Sequence, residues 1–271
     1  MTETAEASPA IPQDERRRTI ARLWRDAVDA DRSGPAYLVE GDDGSWSEIS
    51  WAEADERIRA YANGFLARGV RKGDNVAILA RNSLDWALVD FALAQIGAVG
   101  IPIYANSSPK DVAYLLAHSE AVGIVCEDAE QLAKVESASD ELPKLEHVLT
   151  YHDLAGLASH GIDFAQTHPH ALDEATAAID EEDLYTILYT SGTTGPPKGC
   201  MVDHGYWLRF VDLYLSIYGL RPEDRLLTCL NFFYNDPPWQ LLTALQAGTS
   251  FVAMRRFSVS RFLGRLRYPA R

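Results

Sequence analysis

The sequence predicts an α/β fold with largely parallel sheets flanked by helices. Amphipathic helical patterns alternate with short apolar runs, and Gly, Pro or Ser marks most of the junctions between them. At 271 residues, 47% hydrophobic and 10% aromatic, the chain has ample apolar material for a core.

Residues 1 to 18, rich in Glu, Ala, Pro and Arg, read as a flexible arm. Ser50 with Glu53 is a capping-box signature, and Trp51, Ala54, Ile58, Tyr61 and Phe65 follow at helical spacing until Gly69 can end the helix. The turn Arg71-Lys72-Gly73-Asp74 feeds an apolar strand, Val76 to Ala80. A helix from Leu84 to Ile96 stops at Gly97 and leads into a strand from Ala98 to Ile103. Ser108 and Pro109 supply a cap and a first-turn proline for a helix from Lys110 to His118, and a strand from Val122 to Cys126 follows. Residues 152 to 180, rich in His, Asp, Ala and Gly, read as a long surface connection. Beyond it come a strand Leu184–Tyr189, a helix His204–Tyr218, a strand Arg225–Leu230, a helix Pro238–Gln246 and a strand Thr249–Ala253. The domain expectation is a first subdomain over 19–180 and a second over 181–271. Residues 255 to 271 carry six arginines and no acid, and Val259, Phe262, Leu263 and Leu266 fall on one helical face there. An amphipathic helix cut off by Pro269 explains them better than a basic docking peptide.

The formal net charge of −14 argues against a broad nucleic-acid or anionic-membrane surface. Any anionic ligand must then be held by a local site. The acidic start, Met1 to Asp14, is no signal peptide. The most apolar stretch, Trp86 to Ala105, is broken by Asp90, Gln95 and Pro102, which suits a buried helix and strand better than a membrane span. Cys126, Cys200 and Cys229 form no close pair, so a reducing, cytoplasmic compartment is expected.

One segment carries chemistry: Tyr189-Thr190-Ser191-Gly192-Thr193-Thr194-Gly195-Pro196-Pro197-Lys198-Gly199. It follows a strand and combines hydroxyls, glycines and one lysine. Glycines let backbone N–H groups approach phosphate oxygens, hydroxyls donate further bonds, and Lys198 supplies charge. It is not a Walker A loop, because Pro197 stands where that motif needs its second glycine and Gly199 where it needs Ser or Thr. A plain Ser/Thr/Gly-rich surface turn would have no need of this ordered hydroxyl set followed by Pro-Lys-Gly.

Tyr189 to Gly199 resembles, position for position, the signature of the adenylate-forming (AMP-binding) superfamily. Gly69 to Ala77 is similar to the family's segment after its first helix. Arg81-Asn82-Ser83, Ile101-Pro102-Ile103-Tyr104, Tyr114 and His118-Ser119-Glu120-Ala121 resemble long-chain acyl-CoA synthetases. The resemblance covers roughly residues 20 to 262 and implies the incomplete N-terminal domain of an adenylate-forming enzyme. It implies the substrates ATP, Mg and coenzyme A and a small-molecule carboxylic acid: the carboxylate is activated as an acyl-adenylate and then passed to the thiol. By the same resemblance Thr190, Ser191, Gly192, Thr193, Thr194, Gly195 and Lys198 hold the β/γ-phosphates, Lys198 and Thr194 are catalytic, and Thr190 touches Mg²⁺.

Asn231-Phe232-Phe233-Tyr234 stands where the family usually has Pro-x-Phe-His, a segment lining the acyl pocket. Tyr234 reads equally as a gate to that pocket and as a core aromatic. Asp236 and Trp239 suggest an alternative substrate, a carnitine-like betaine acid held by a carboxylate beside aromatic rings, although Asp236 serves as readily to cap the following helix. His204 is read as settling the start of its helix, His160, His168 and His170 as solvated, and Cys200 as inert. No segment matches the family's Tyr-Gly-x-Thr-Glu, its Thr-Gly-Asp or the catalytic lysine of a C-terminal lid domain. The expectations are a truncated ligase that is not competent alone, with exposed apolar surface, or a non-catalytic nucleotide-binding or partner-binding remnant.

Overall fold

The computed structural model describes residues 18–253 except 31, 33, 42–44, 191–194, 229 and 235, and the side chains of 236, 237 and 253 lie outside the description. The flexible arm and the arginine-rich tail expected from the sequence therefore fall outside the described residues, apart from Arg18.

Among the described residues two sheets form. Asn75–Ala80 (β3), Val99–Tyr104 (β4), Gly123–Cys126 (β5), His147–Thr150 (β6), Leu184–Thr190 (β7) and Lys198–Asp203 (β8) make a six-stranded sheet in the order β6-β5-β3-β4-β7-β8. All its pairings are parallel except β7 with β8. Tyr37–Glu40 (β1), Trp46–Ile49 (β2), Arg225–Thr228 (β9) and Ser250–Ala253 (β10) make a four-stranded sheet in the order β2-β1-β10-β9. There β1 pairs antiparallel with β2 and parallel with β10. Both sheets thus draw strands from each side of residue 180, so the expected subdomain boundary there does not coincide with a boundary between sheets.

The helices form where their caps dictate. Trp51–Ala67 (α2) begins on a complete capping box, Ser50 accepting from the Glu53 N–H and Glu53 from the Ser50 N–H. It ends before Gly69, whose φ of +93° few other residues adopt without strain. Leu84–Gln95 (α3) is capped by Ser83 and is buried from Trp86 to Gln95, which explains why its sequence is apolar all round. Pro109–His118 (α4) carries the expected Ser108 cap. Ile20–Asp29 (α1) lies against α3, and Ala129–Glu136 (α5) against α4.

Residues 152–180 correct the sequence reading. They are not a surface connection: Leu154–Thr167 (α6) and Ala171–Ala177 (α7) are helices packed on α2. The contact joins an apolar stripe, with Leu154 and Leu157 buried, to a close approach that absent side chains permit. A Cβ on Gly161 would sit 2.0 Å from the Ala60 carbonyl oxygen, and one on Gly64 would sit 2.4 Å from that of Leu157. His168 stacks on Phe164 at 4.3 Å and bonds the Thr167 hydroxyl at 2.9 Å.

His204–Tyr218 (α8) and Asp236–Ala247 (α9) close the description. His204 is fully buried, and its Nδ1 accepts the Ile20 N–H at 3.2 Å, joining α8 to α1. Burial pushes its pKa down to about 4. Leu213, Ile217 and Tyr218 on α8 and Met201 on β8 are exposed. Among the described residues no helix is long and apolar enough to cross a membrane.

Candidate functional site

The phosphate-type loop proves to be the connection of a β-hairpin at the edge of the six-stranded sheet. Thr190 pairs in register with Lys198 and Tyr189 with Gly199. The sequence reading left Lys198 and Gly199 in the loop; they open β8 instead. The hairpin therefore brings Thr190 and Lys198, both exposed, to the same mouth, with Gly195 exposed just above it. Ser191, Gly192, Thr193 and Thr194 lie outside the described residues.

Beside this mouth lies a cavity of about 680 Å³. Its walls include Leu188, Thr190 and Val202 on the hairpin, Pro102 and Tyr104 on β4, Asp111 and Leu115 on α4, Tyr206 on α8, and Phe233 with Tyr234 on the segment before α9. The wall is mostly apolar while Thr190 lies at the rim, so a molecule with an apolar body and a polar end suits it. Tyr189 lies half-buried beneath the mouth, and burial raises its hydroxyl pKa. Cys200, exposed on the edge strand, also faces the cavity.

The Phe233–Tyr234 wall is held from below. Asn82, 1% exposed, donates through Nδ2 to the Leu230 carbonyl at 2.6 Å and accepts the Phe232 N–H at 2.8 Å. Phe233 stacks on Tyr104 at 4.4 Å, and the Asn106 amide donates to the Tyr104 hydroxyl at 2.8 Å. Tyr234 is 50% exposed and lies against Phe233 at 4.0 Å, a position at the cavity rim and not in the core.

Of the two other residues expected at a substrate pocket, Asp236 opens α9 and its side chain lies outside the description. Trp239 is buried between α8 and α9, its ring 3.7 Å from that of Tyr214 and 5.8 Å from that of Phe210, and it does not line this cavity. The pairing of a carboxylate with an indole over one ligand is thus not assembled among the described side chains. Sequence reasoning missed Asn82 as an anchor and Tyr104 as a wall. A buried amide answering two backbone groups leaves no pattern in the sequence around it.

The chain matches a family model described as AMP-binding enzyme over residues 25–267. It is 37% identical over 209 residues to the long-chain-fatty-acid–CoA ligase FadD15 of Mycobacterium tuberculosis, covering 74% of this chain and 34% of that one. It is 32% identical over 255 residues to the crotonobetaine/carnitine–CoA ligase of Citrobacter koseri, covering 92% and 48%. Among solved structures, the inhibitor-bound N-terminal domain of FACL13 from Mycobacterium tuberculosis superposes with a TM-score of 0.78 at 23% identity, covering 91% of this chain and 60% of that one. The anthranilate CoA ligase AuaEII in complex with anthranoyl-AMP gives 0.77 at 22%, covering 92% and 46%. At such identities the structural likeness speaks for the fold. The chain spans about a third to a half of the length of the curated relatives it matches.

Proposed function

The chain belongs to the AMP-binding enzyme family, and on that premise we propose that it is the part of an ATP-dependent acyl-CoA ligase that holds the nucleotide's phosphates and the acid to be activated. One observation carries the reading: the hairpin mouth bearing Thr190 and Lys198 opens beside a largely apolar cavity of about 680 Å³.

In the full reaction a carboxylate oxygen attacks the α-phosphorus of ATP. The new O–P bond forms as the bond to the β-phosphate oxygen breaks, and pyrophosphate leaves with its charge. The sulfur of coenzyme A then takes the acyl carbon, AMP departs, and the thiol proton is lost to solvent. Lys198 stabilises the departing charge electrostatically, while loop N–H groups and hydroxyls hold the phosphates in line. Mg²⁺ enters with the nucleotide as part of the substrate, the Thr190 hydroxyl offering it one oxygen. The acid is a fatty acid, its chain against Pro102, Leu188, Phe233 and Tyr234. A reducing cytoplasmic setting belongs to the same reading, with Cys200 left as a thiol.

A betaine acid is the second reading, favoured by likeness to the crotonobetaine/carnitine–CoA ligase; Tyr234 would then offer its exposed ring face to the quaternary ammonium. Calorimetry on the 271-residue chain with MgATP, a long-chain fatty acid and carnitine separates these. The expected result is binding of nucleotide and fatty acid, with Lys198→Ala weakening nucleotide roughly tenfold or more, as loss of one charge-assisted contact requires, and leaving the fatty acid unaffected. Carnitine binding in place of fatty acid selects the second reading. Nucleotide binding that Lys198→Ala does not weaken, or none at all, refutes the phosphate assignment.

A further inference from the structure

Both arms of the hairpin are tied to one face of α4. Tyr114 and His118 stand one helical turn apart, so their side chains leave the helix together. The Tyr114 hydroxyl donates to the Pro197 carbonyl at 3.1 Å, on the strand-entry side of β8. The Tyr189 hydroxyl and His118 Nδ1 are bonded at 2.8 Å, at the end of β7. The tyrosine donates when Nδ1 carries no proton, and Nδ1–H donates to the tyrosine oxygen in the other tautomer. Ring packing supports both bonds: Tyr114 lies 5.3 Å from His118, and His118 meets Tyr189 edge-on at 5.7 Å.

Gly199 leaves room beside the second tie. It pairs directly with Tyr189, and a Cβ there would fall 2.8 Å from Cγ2 of Ile187 and 3.3 Å from Cζ of Tyr189. A side chain at this position would press on Ile187 first and crowd the Tyr189 ring by a few tenths of an ångström. The helix that receives the ties is itself fixed, with Val112, Leu115 and Leu116 buried in the core and Ser108 capping its start. Edge hairpins lack this support, since β8 pairs with β7 alone among the described strands.

We propose that Tyr114 and His118 are positioning residues that clamp the two arms of the hairpin against α4 and keep the end of its ladder from fraying, so that Thr190 and Lys198 meet a polyphosphate as a preformed pair. The proposal deepens the phosphate reading of the loop and rests on it. A mouth already ordered loses less freedom on binding, so the clamp acts on affinity without touching the ligand.

The test uses the 271-residue chain and two readouts: hydrogen–deuterium exchange of peptides covering residues 186–200, and calorimetry with inorganic tripolyphosphate. Tyr114→Phe and His118→Ala are each expected to speed exchange across the hairpin roughly fivefold or more while β3 and β5 keep their protection. His118→Asn, whose amide takes the place of Nδ1, is expected to restore protection. The double variant Tyr114→Phe/His118→Ala should weaken tripolyphosphate roughly tenfold. Lys198→Ala should weaken it without speeding exchange, which separates contact from positioning.

Unchanged hairpin exchange in the double variant overturns the clamp, as does a rise spread evenly over the whole sheet. Normal wild-type binding with undiminished affinity in the double variant overturns the clamp alone. Failure of the wild-type chain to bind tripolyphosphate overturns the phosphate reading and with it the purpose assigned to the clamp, whatever the exchange shows.

Discussion

In the middle of the six-stranded sheet, Ala77, Ile78 and Leu79 on β3 are at most 1% exposed; at the β8 edge, Lys198 and Cys200 are exposed and Met201 is 68% exposed. The interior strands are parallel and covered by helices, whereas β8 runs antiparallel and ends the sheet. The interior stabilises the fold through burial and close approach. The edge leaves a hydroxyl and a lysine exposed, and Tyr114 and His118 on α4 bond it to the rest of the fold. The buried strands and the proposed phosphate site occupy different parts of one sheet, so damage to each should be separable.

The largest expected effect tests the interior through protons. Tyr185 links two buried titratable groups there: its hydroxyl donates to Asp90, and its ring lies 5.4 Å from that of His204. Burial raises Asp90 to about 7 and lowers His204 to about 4. Below pH 6.5 the unfolded chain protonates His204 while the folded chain resists, so stability falls by up to about 3 kcal/mol as pH drops to 4. Asp90 acts with the opposite sign. Its folded pKa is raised, so its contribution is complete below the unfolded value near 3.9 and is lost, by up to about 4 kcal/mol, as pH rises through 7. The two offset each other between pH 4 and 7. Asp90→Asn removes one of them, and urea melts of that variant should show stability falling steeply from pH 7 to 4, relative to a flatter wild-type profile. Parallel profiles for the two proteins would sink this account. Tripolyphosphate affinity at pH 7, an edge property, should not change.

Gly161→Ala comes next. Its new methyl would meet the Ala60 carbonyl oxygen at 2.0 Å and the Gly64 nitrogen at 2.6 Å, both backbone atoms of α2 that no rotamer change can move. Overpacking of this kind costs about 3 kcal/mol. A chemical melt checks it, and loss of under about 1 kcal/mol would mean that α6 does not approach α2 this closely.

This contact also shows what the sequence could and could not convey. Helices α2, α3 and α4 and strands β3, β4, β5 and β7 are legible because caps, end glycines and apolar runs are local signals. Helix α6 carries such a signal too, Leu154, Leu157, Ala158 and Phe164 standing at helical spacing, but its His, Asp and Gly content reads as loop, and Gly64 and Gly161, which bring it close to α2, look like loop residues along the chain. The pairing of β1 with β10 joins the two ends of the described chain, and no local pattern encodes a parallel partner so distant. In the site, Thr190, Gly195 and Lys198 are legible from residue type alone. Tyr234 at the cavity rim was one of two readings open from sequence, while Trp239 lies in the α8–α9 contact because its ring fits against Tyr214 and Phe210. Asn82 bonds the wall segment, and Tyr114 and His118 bond the hairpin, across large separations that leave no trace beside the segments they meet.

Asn82 gives the smallest of the expected stability effects and the sharpest comparison, because it joins the two regions. It sits just beyond β3, at the interior, yet its amide answers Leu230 and Phe232 at the cavity wall. Truncation to alanine takes this partner from the Leu230 carbonyl and from the buried Phe232 N–H, a loss of about 2 kcal/mol once partial rehydration is allowed for. If the segment serves only the fold, Asn82→Ala should lower stability and leave every ligand affinity of the folded fraction as it was. If Phe233 and Tyr234 form the wall for an acyl chain, the released segment should weaken fatty-acid binding while MgATP, assigned by the proposal to Thr190 and Lys198, binds as before. Titration of both ligands at a temperature well below the variant's melt decides between them, and equal weakening of both would mean that wall and mouth move as one body.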